Sequence, residues 1–559
     1  MSKKAQSYQK KTLREQILLR PDTYIGDIET TTDNMYVCKD NNIVKKKVKY
    51  VPGFSKIFDE ILVNARDASV KDPTCNCIKV EYNKEENFIS VWNNGDDTIP
   101  VEEHPEHKIF VPSMIFGHLL TSSNYDDKEE RVTGGRNGYG AKLANIFSTK
   151  FEVEVGDANN KKKFYQSWEN NMSVANKHKV TSYKAKSSYV KITFYPDTEK
   201  LNLKKGLSDD HFGLFKRRCA DIAGTNTLGN KNVKVYFNNE KMEITNFKKY
   251  IESVYPNDDI YYDSDGRWEV GVVYKPDQGN ESISFVNGIS SYNGGTHVNY
   301  VVDNILKQLV NDYILKKNKA AKISNTIIKE SLVFFVNSVI INPSFSSQTK
   351  DTLTTKVSGF GSKYSPSKNM MKKISKCGIV DKVIKLAEFK ENASLKKTDG
   401  KKQIKLKGIP KLDDANRAGS KDSNKCSLIL TEGDSAKAFA MAGVGVVGRD
   451  HFGVFPLKGK LLNVREASVS QINNNDEINH IKQIVGLKQG VDYSDEANFS
   501  QLRYGRIIIL TDQDVDGSHI KGLVMNFLHV LWPELLQHDG FITSLATPIV
   551  KLFKGKEVK

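Results

Sequence analysis

Two carboxylate-bearing segments stand out as places where this chain could do chemistry. Glu432 lies in "LILTEGDSA", and Asp512, Asp514 and Asp516 lie in "IIILTDQDVDG". Each follows an apolar, β-branched run, Leu428 to Leu430 in one case and Ile507 to Leu510 in the other, which reads as a buried parallel strand. Acids at the carboxyl ends of neighbouring strands point into one crevice, where open α/β sheets bind ligands. Aspartates two apart can face one side and converge with the glutamate, an all-oxygen set suited to Mg²⁺. An isolated D-x-D is more often a solvated turn; two strand-end motifs together favour the metal site. His519, in "DGSHI", sits beside the acids, but hard Mg²⁺ prefers oxygen, so it reads as a helix-start side chain.

A second candidate site lies near the N-terminus. "FDEILVNARDAS" sets Glu60, Asn64 and Asp67 at i, i+4 and i+7, on or near one helical face. A glutamate there can polarise water while the asparagine carbonyl holds a metal ion. "VTGGRNGYGAK" then carries Gly134, Gly135, Gly138 and Gly140 and runs into the helix-like "AKLANIF". Glycine-rich turns at a helix start expose backbone N–H groups that cradle phosphates. Each signal alone is weak, since polar helix faces are common and tight turns need glycine for steric reasons.

The elements that must hold these residues follow from pattern. Up to about residue 240, helix-like stretches such as "FSKIFDEILVNARDASV" alternate with short strands such as "CIKVEYN" and "FISVWNN". From 241 to 395 a mixed unit has strand candidates in "ISFVNGI" and "SLVFFVNSVIINP" and a helix in "HVNYVVDNILKQLVNDYILKK". Residues 396–425 carry nine lysines and little apolar content, which reads as a linker or an irregular basic strap. An α/β unit follows over 424–545, and 546–559 begins a further strand.

Composition bounds the class. The 559 residues are 38% hydrophobic and 27% charged, ordinary for a multidomain soluble protein. No apolar run approaches the roughly 20 residues that span a bilayer, and "MSKKAQSYQKK" precedes no signal-peptide core. Six cysteines lack zinc spacing and read as reduced thiols of an intracellular protein. A net charge of +16 suits a polyanionic partner.

Taken in order, E-x-x-x-N, "WNNG", "LLTSSNYDD" and "GGRNGYGAK" resemble the ATPase domain of eukaryotic-type type IIA DNA topoisomerases. The resemblance continues through "RPDTYIG", "NPSFSSQTK", "EGDSA", "PLKGKLLNVREA" and "TDQDVDGSHIKGL", and so covers essentially the whole chain. It implies a multidomain α/β and α+β protein: a GHKL (Bergerat) α/β-sandwich ATPase domain with an N-terminal arm over 1–240, and a ribosomal-protein-S5-like α+β transducer over 241–395. A basic linker over 396–423 and a Rossmann-like TOPRIM α/β domain over 424–545 follow.

The resemblance also implies roles. Glu60 activates water, Asn64 binds Mg²⁺ and Asn93 reads adenine; Ser122, Ser123 and Asn124 contact ribose and phosphates. Gly135, Arg136, Asn137, Gly138, Tyr139, Gly140, Ala141 and Lys142 form the lid over the triphosphate of ATP. Gln348, Thr349 and Lys350 come from the second domain, Gln348 and Lys350 reaching the γ-phosphate, and Tyr8 reaches the nucleotide of a dimer partner. Glu432, Asp512 and Asp514 are implied as Mg²⁺ ligands with Asp516 accessory. Lys458, Lys460, Asn463 and Arg465, with Lys316 and Lys317, are implied as DNA contacts; Leu315 replaces the first lysine of the family's usual triplet. Where the family usually reads N-N-G-x-G-I-P, this chain has "NNGDDTIPV", with one residue added and Thr98 in place of the second glycine.

The family cuts duplex DNA with a tyrosine preceded by arginine, in a winged-helix segment beyond TOPRIM. The only Arg-Tyr pair here is Arg503-Tyr504, directly before the Asp512 strand, so Tyr504 is rejected as nucleophile. The expected function is an ATP-driven clamp that homodimerises and passes one duplex through a break in another, relaxing and decatenating DNA. The breakage segment would lie on a longer polypeptide, the favoured reading, or on a separate subunit. A chaperone or mismatch-repair-type clamp explains the nucleotide motifs but not "EGDSA" with "DQDVDG"; a degenerate DNA clamp conflicts with intact Glu60 and Lys350. A nuclear location follows from the eukaryotic resemblance alone, and a viral origin would undo it.

Overall fold

A computed structural model describes residues 10–121, 130–135, 138–204, 206–226, 233–276, 278, 280–318 and 323–545, with the backbone of 553–554 and 557–558. Its contacts divide into two units, one of residues 1–316 with 324–380 and the other of 317–323 with 381–559.

In the first unit a nine-stranded sheet is built from β3 (Cys77–Asn83), β4 (Phe88–Asn94), β5 (Ser148–Asp157), β6 (Lys162–Glu169), β7 (Val174–Ala175), β8 (Lys179–Ser182), β9 (Tyr189–Pro196), β10 (Lys234–Phe237) and β11 (Glu240–Lys241). The order is β11-β10-β3-β4-β9-β5-β6-β7, with β8 also on β6. A separate hairpin, β1 (Thr31–Lys39) and β2 (Asn42–Tyr50), precedes it. Alternation in "CIKVEYN" buries Ile78, Val80 and Tyr82 on one face.

Against this sheet lie the helices Pro52–Lys71, Gly140–Ile146 and Asp209–Thr225. The first has proline in its first turn, where no intrahelical N–H bond is lost. Its Phe54, Ile57, Phe58 and Ile61 are buried, and Phe58 stacks on Phe215 of the third helix at 4.0 Å between ring centroids.

The same unit holds a mixed sheet of order β12-β13-β16-β14-β15: β12 (Ile260–Asp265), β13 (Trp268–Tyr274), β14 (Glu281–Val286), β15 (Ile289–Ser290) and β16 (Leu332–Ser338). Its Phe285, Val333 and Phe335 belong to one hydrophobic core with the helices that cover the first sheet. By contacts the chain divides at 380, inside the helix Ile379–Leu395, so the two sheets above lie in one unit.

The second unit is a four-stranded parallel sheet, β18 (Phe452–Leu457), β17 (Ser427–Glu432), β19 (Arg506–Leu510) and β20 (Ile542–Ser544), in that spatial order. The helices Gly433–Val447, Asp476–Val485 and Val515–Leu531 accompany it. The lysine-rich strap before β17 is irregular in backbone yet fastened down. Lys482, fully buried, donates to the Leu395 carbonyl at 2.9 Å and to Thr398 Oγ1 at 2.8 Å. Arg503, also fully buried, donates to the carbonyls of Gln403 and Ile484 and pairs with Asp414. The strap's own lysines are mostly exposed, and the buried cations that hold it come from Lys482 and Arg503 outside it. None of the six cysteines forms a disulfide, and among the described residues no helix is long and apolar enough to cross a membrane.

Candidate nucleotide and metal sites

The Pro52–Lys71 helix lays Glu60, Asn64 and Asp67 along one wall of a cavity of about 570 Å³, the spacing seen in the sequence. Asn93 at the end of β4, Gly135, Gly138 to Lys142, Gln348 and Lys350 complete the wall, with Val91, Ile99, Met114, Val190 and Ile192 as apolar lining. That size and mixture suit a nucleotide-sized ligand. Ser122, Ser123, Asn124, Arg136, Asn137 and Tyr8 lie outside the described residues.

Glu60 is buried, and its Oε1 meets two ammonium groups, Lys56 at 2.5 Å and Lys350 at 3.2 Å. Burial alone would raise its carboxyl, but Lys350 and Lys56 outweigh that and hold it down to about 2. Lys350 sits at φ 64°, a left-handed position unusual for a side chain of its size. Its loop is hung on the Gly294–Gly295 turn, where Leu353 N donates to the Gly294 carbonyl and Thr296 N to the Leu353 carbonyl, both at 3.1 Å. Gly295 is at φ 137°, and a Cβ there would fall 2.5 Å from the Leu353 carbonyl oxygen.

One residue of this loop differs from expectation. Thr349 lines a second cavity, with Tyr36, Lys56, Arg217 and Asp351, rather than the one beside Asn93. Its hydroxyl donates to Asp351, because the left-handed turn at Lys350 sends the neighbouring side chain the other way.

The glycine-rich segment is pinned at its start. Asp67 accepts from Gly134 N at 2.9 Å and Gly135 N at 3.1 Å and pairs with Arg66. Burial pushes the Asp67 carboxyl up despite Arg66 and these two donors. Lys142 is buried, its Nζ donating to the carbonyls of Thr121 and Gly138, and burial brings its ammonium down to about 8. Gly140 has a steric reason: a Cβ there would lie 2.1 Å from Glu60 Oε2.

The departure after Asn93 is accommodated by Asp72. Its Oδ2 accepts from Asp97 N at 3.0 Å and its Oδ1 from Thr74 N at 2.8 Å, while Thr74 Oγ1 accepts from Asp96 N at 2.7 Å. Gly95, at φ 144°, passes so close that a Cβ would meet Asp72 Oδ2 at 2.5 Å. The first glycine is thus required, and the carboxylate of Asp72 holds the rest of the turn without the second. Asn93 Nδ2 donates to the Asn94 carbonyl at 3.2 Å, and Thr98 lines the cavity.

In the second unit, β17 and β19 are hydrogen-bonded parallel neighbours, so Glu432 and the Asp512 segment emerge at the same end of one sheet. Gly433 turns at φ 76° into the Gly433–Val447 helix. Gly517 lets the Val515–Leu531 helix start against β19, since a Cβ there would sit 2.1 Å from the Asp512 carbonyl oxygen. Asp514 caps that helix, Oδ1 accepting from Gly517 N at 2.7 Å.

The four acids share a sheet end without forming a cage. Among the described residues no three His, Cys, Asp or Glu side chains come together as metal ligands. Asp516 pairs with Lys460 at 2.9 Å, and this pairing lowers its carboxyl. One expected metal ligand and one expected DNA contact thus neutralise each other. Glu432 Oε2 is buried and has no hydrogen-bond partner among the described residues, which fits an all-oxygen set with a place for a hard cation. Lys458, Lys460 and Arg465 are exposed on the loop after β18, at the same sheet end, while Asn463 Oδ1 accepts from Asn526 at 2.5 Å. Lys316 and Lys317 are exposed and paired with Asp312 and Asp381 respectively. Tyr504 is fully buried, its hydroxyl donating to Asp414 and accepting from Ala415 N, a geometry that bars it from attacking a phosphodiester.

Comparison with known proteins decides the family. The family model described as DNA gyrase B matches residues 229–403, and the Toprim domain model matches residues 427–546. The crystal structure of the ATPase region of Saccharomyces cerevisiae topoisomerase II is 44% identical, with a TM-score of 0.65 over 69% of this chain and all of that one. The chain belongs to the type IIA DNA topoisomerases. The DNA topoisomerase 2 of Acanthamoeba polyphaga mimivirus is 51% identical over 99% of this chain, and that of Drosophila melanogaster 49% over 99%. The chain spans 44% and 38% of the length of those two topoisomerases. Its fold is that of the family's GHKL ATPase and TOPRIM modules, which use nucleotide and metal.

Sequence reasoning missed two residues, Lys56 on Glu60 and Asp72 under the altered turn, and it named Asp67 without its part as the pin of the glycine segment. Lys56 carried a signal, since it lies one helical turn before Glu60 on the same face. Asp72 carried none, because it acts on residues far along the chain.

Proposed function

We propose that this chain is the ATP-hydrolysing clamp and the metal-binding half of the cleavage centre of an enzyme that passes one DNA duplex through a transient double-strand break in another, relaxing and decatenating DNA. The observation that carries the reading is the meeting of Glu60 and Lys350, 290 residues apart, at the wall of a cavity edged by a glycine-rich segment.

ATP is the nucleotide of this proposal. Asn93 turns its NH₂ to the Asn94 carbonyl, which leaves its amide oxygen to accept from the exocyclic amine of adenine. Glu60 takes a proton from the attacking water, and Lys350 moves to the γ-phosphate, where its charge offsets that of the transferred phosphoryl group. Asn64, and separately Glu432, Asp512 and Asp514, would hold Mg²⁺, which when bound supplies Lewis-acid stabilisation of phosphate oxygens. Asp516 joins that set once Lys460 turns to a DNA phosphate.

The partners of the proposal are double-stranded DNA, a second copy joined through the ATPase domain with Tyr8 reaching across, and a winged-helix segment bearing the tyrosine nucleophile. The place of work is the nucleus for a cellular member and the cytoplasm for a viral one. A clamp or chaperone without strand passage would leave four acids at one sheet end without a task. The test is DNA-stimulated, Mg²⁺-dependent ATP turnover with and without Glu60→Ala. Turnover should fall to background in the variant, and equal rates would sink the reading.

A further inference from the structure

Two cations hold one carboxylate oxygen, and they reach it from different places. Lys56 stands one turn before Glu60 on the same helix, 7% exposed, its Nζ 2.5 Å from Oε1. Lys350 comes from the loop hung on the Gly294–Gly295 turn, its Nζ 3.2 Å from the same atom. The other oxygen, Oε2, lies against Gly140, where even a methyl group would collide. Glu60 is thus closed in by the glycine segment on one side and by ammonium groups on the other.

If Lys350 turns to the γ-phosphate, its charge is drawn to the triphosphate and its hold on Glu60, already the longer of the two contacts, weakens. A buried carboxylate stripped of its only partner would be costly and would swing or take up a proton. Lys56 removes that difficulty. We propose that Lys56 is the positioning residue of the hydrolytic site, a fixed partner that keeps Glu60 ionised and aimed while Lys350 exchanges between Glu60 and the nucleotide. This rests on the reading of Glu60 as the base. Lys350 is the exchangeable cation and Lys56 the permanent one.

The electrostatics agree with this division. With both ammoniums in place the Glu60 carboxyl is held at about 2, a poor proton acceptor; release of Lys350 makes it more basic, and Lys56 keeps it charged at neutral pH. Lys56 and Lys350 face Glu60, while Asp59 and Asp67 face Lys350 and raise its ammonium together with Glu60, against its burial.

The test compares ATP turnover and binding of a non-hydrolysable ATP analogue in the whole chain. Lys56→Met should lower kcat about tenfold to a hundredfold, the cost of a misplaced catalytic group, with analogue affinity within about twofold of the parent. The acidic limb of its kcat–pH profile should move to higher pH, and Lys56→Arg should recover most of the rate. An unchanged kcat, or a loss of analogue binding that matches the loss of rate, overturns the proposal. Should Lys56→Met fail to fold, the Lys56→Met/Glu60→Gln pair removes both charges together; it should bind the analogue within about twofold of Glu60→Gln alone, and a weaker affinity overturns the proposal. Full turnover in Glu60→Gln would refute the base itself, whereas an inactive Glu60→Gln beside a fully active Lys56→Met would refute Lys56 only.

Discussion

Asp67 illustrates how much a single buried carboxylate organises. It serves Gly134 N, Gly135 N and Arg66 at once, so its removal leaves two N–H donors and a cation without their partner. Asp67→Ala should cost about 3 kcal/mol of unfolding free energy, read by denaturant melting, and should weaken nucleotide binding because the start of the glycine segment is no longer pinned. Glu60 gives a prediction in pH. Its folded carboxyl lies at about 2, below the ordinary 4.5, so its ion cluster stabilises the fold fully above about 4.5, and that stabilisation is lost as pH falls through about 2. Unfolding free energies of the parent and Glu60→Gln, compared from neutral to acid, should converge across that window; a difference that grows on acidification would contradict the assignment.

At the scale of elements, the parallel pairing of β17 with β19 puts acids from two motifs at one sheet end, and β18 adds the Lys458–Arg465 loop there. The start of the Val515–Leu531 helix depends on Gly517. Gly517→Ala should push that start off the Asp512 carbonyl, at a cost of about 1–3 kcal/mol of overpacking strain. Mg²⁺ should then no longer raise the melting temperature of the TOPRIM unit, a thermal-shift measurement. If Lys458, Lys460 and Arg465 each meet a DNA phosphate, replacing all three with alanine should reduce the slope of log affinity against log salt by about 2.7. A parallel line displaced to weaker binding would mean that these cations act elsewhere.

For the whole molecule, the expectation is ATP turnover without DNA cleavage by the isolated chain. Tyr504, the one tyrosine preceded by arginine, is bound between Asp414 and Ala415 in the interior. Tyr504→Phe should lower stability by about 1.5–3 kcal/mol, the value of a hydrogen bond to a charged group, and leave turnover intact. Denaturing gels of DNA incubated with the chain should show no covalent adduct in either form. An adduct on the isolated chain would overturn the division of labour between it and a tyrosine-bearing segment.

Much of this was legible in the residues themselves, for a local reason. Strand runs such as "CIKVEYN" and "RIIIL", the helix under Glu60, and the glycine turns are dictated by side chains a few positions apart. Ordered motifs likewise sufficed to name a family and to list Glu60, Asn64, Asn93 and the strand-end acids. What the chain order could not show depends on residues far apart. The Glu60–Lys350 contact spans 290 positions, Asp72 acts on the turn at Asp97, Lys460 turns to Asp516, and Thr349 faces away from the nucleotide cavity. The strands of the mixed sheet share a core with the helices of the first sheet, a joining of distant segments that chain order does not show. Periodicity reports which face of an element is buried. Which charges meet across that face is decided only when burial forces each ionised group to find a partner.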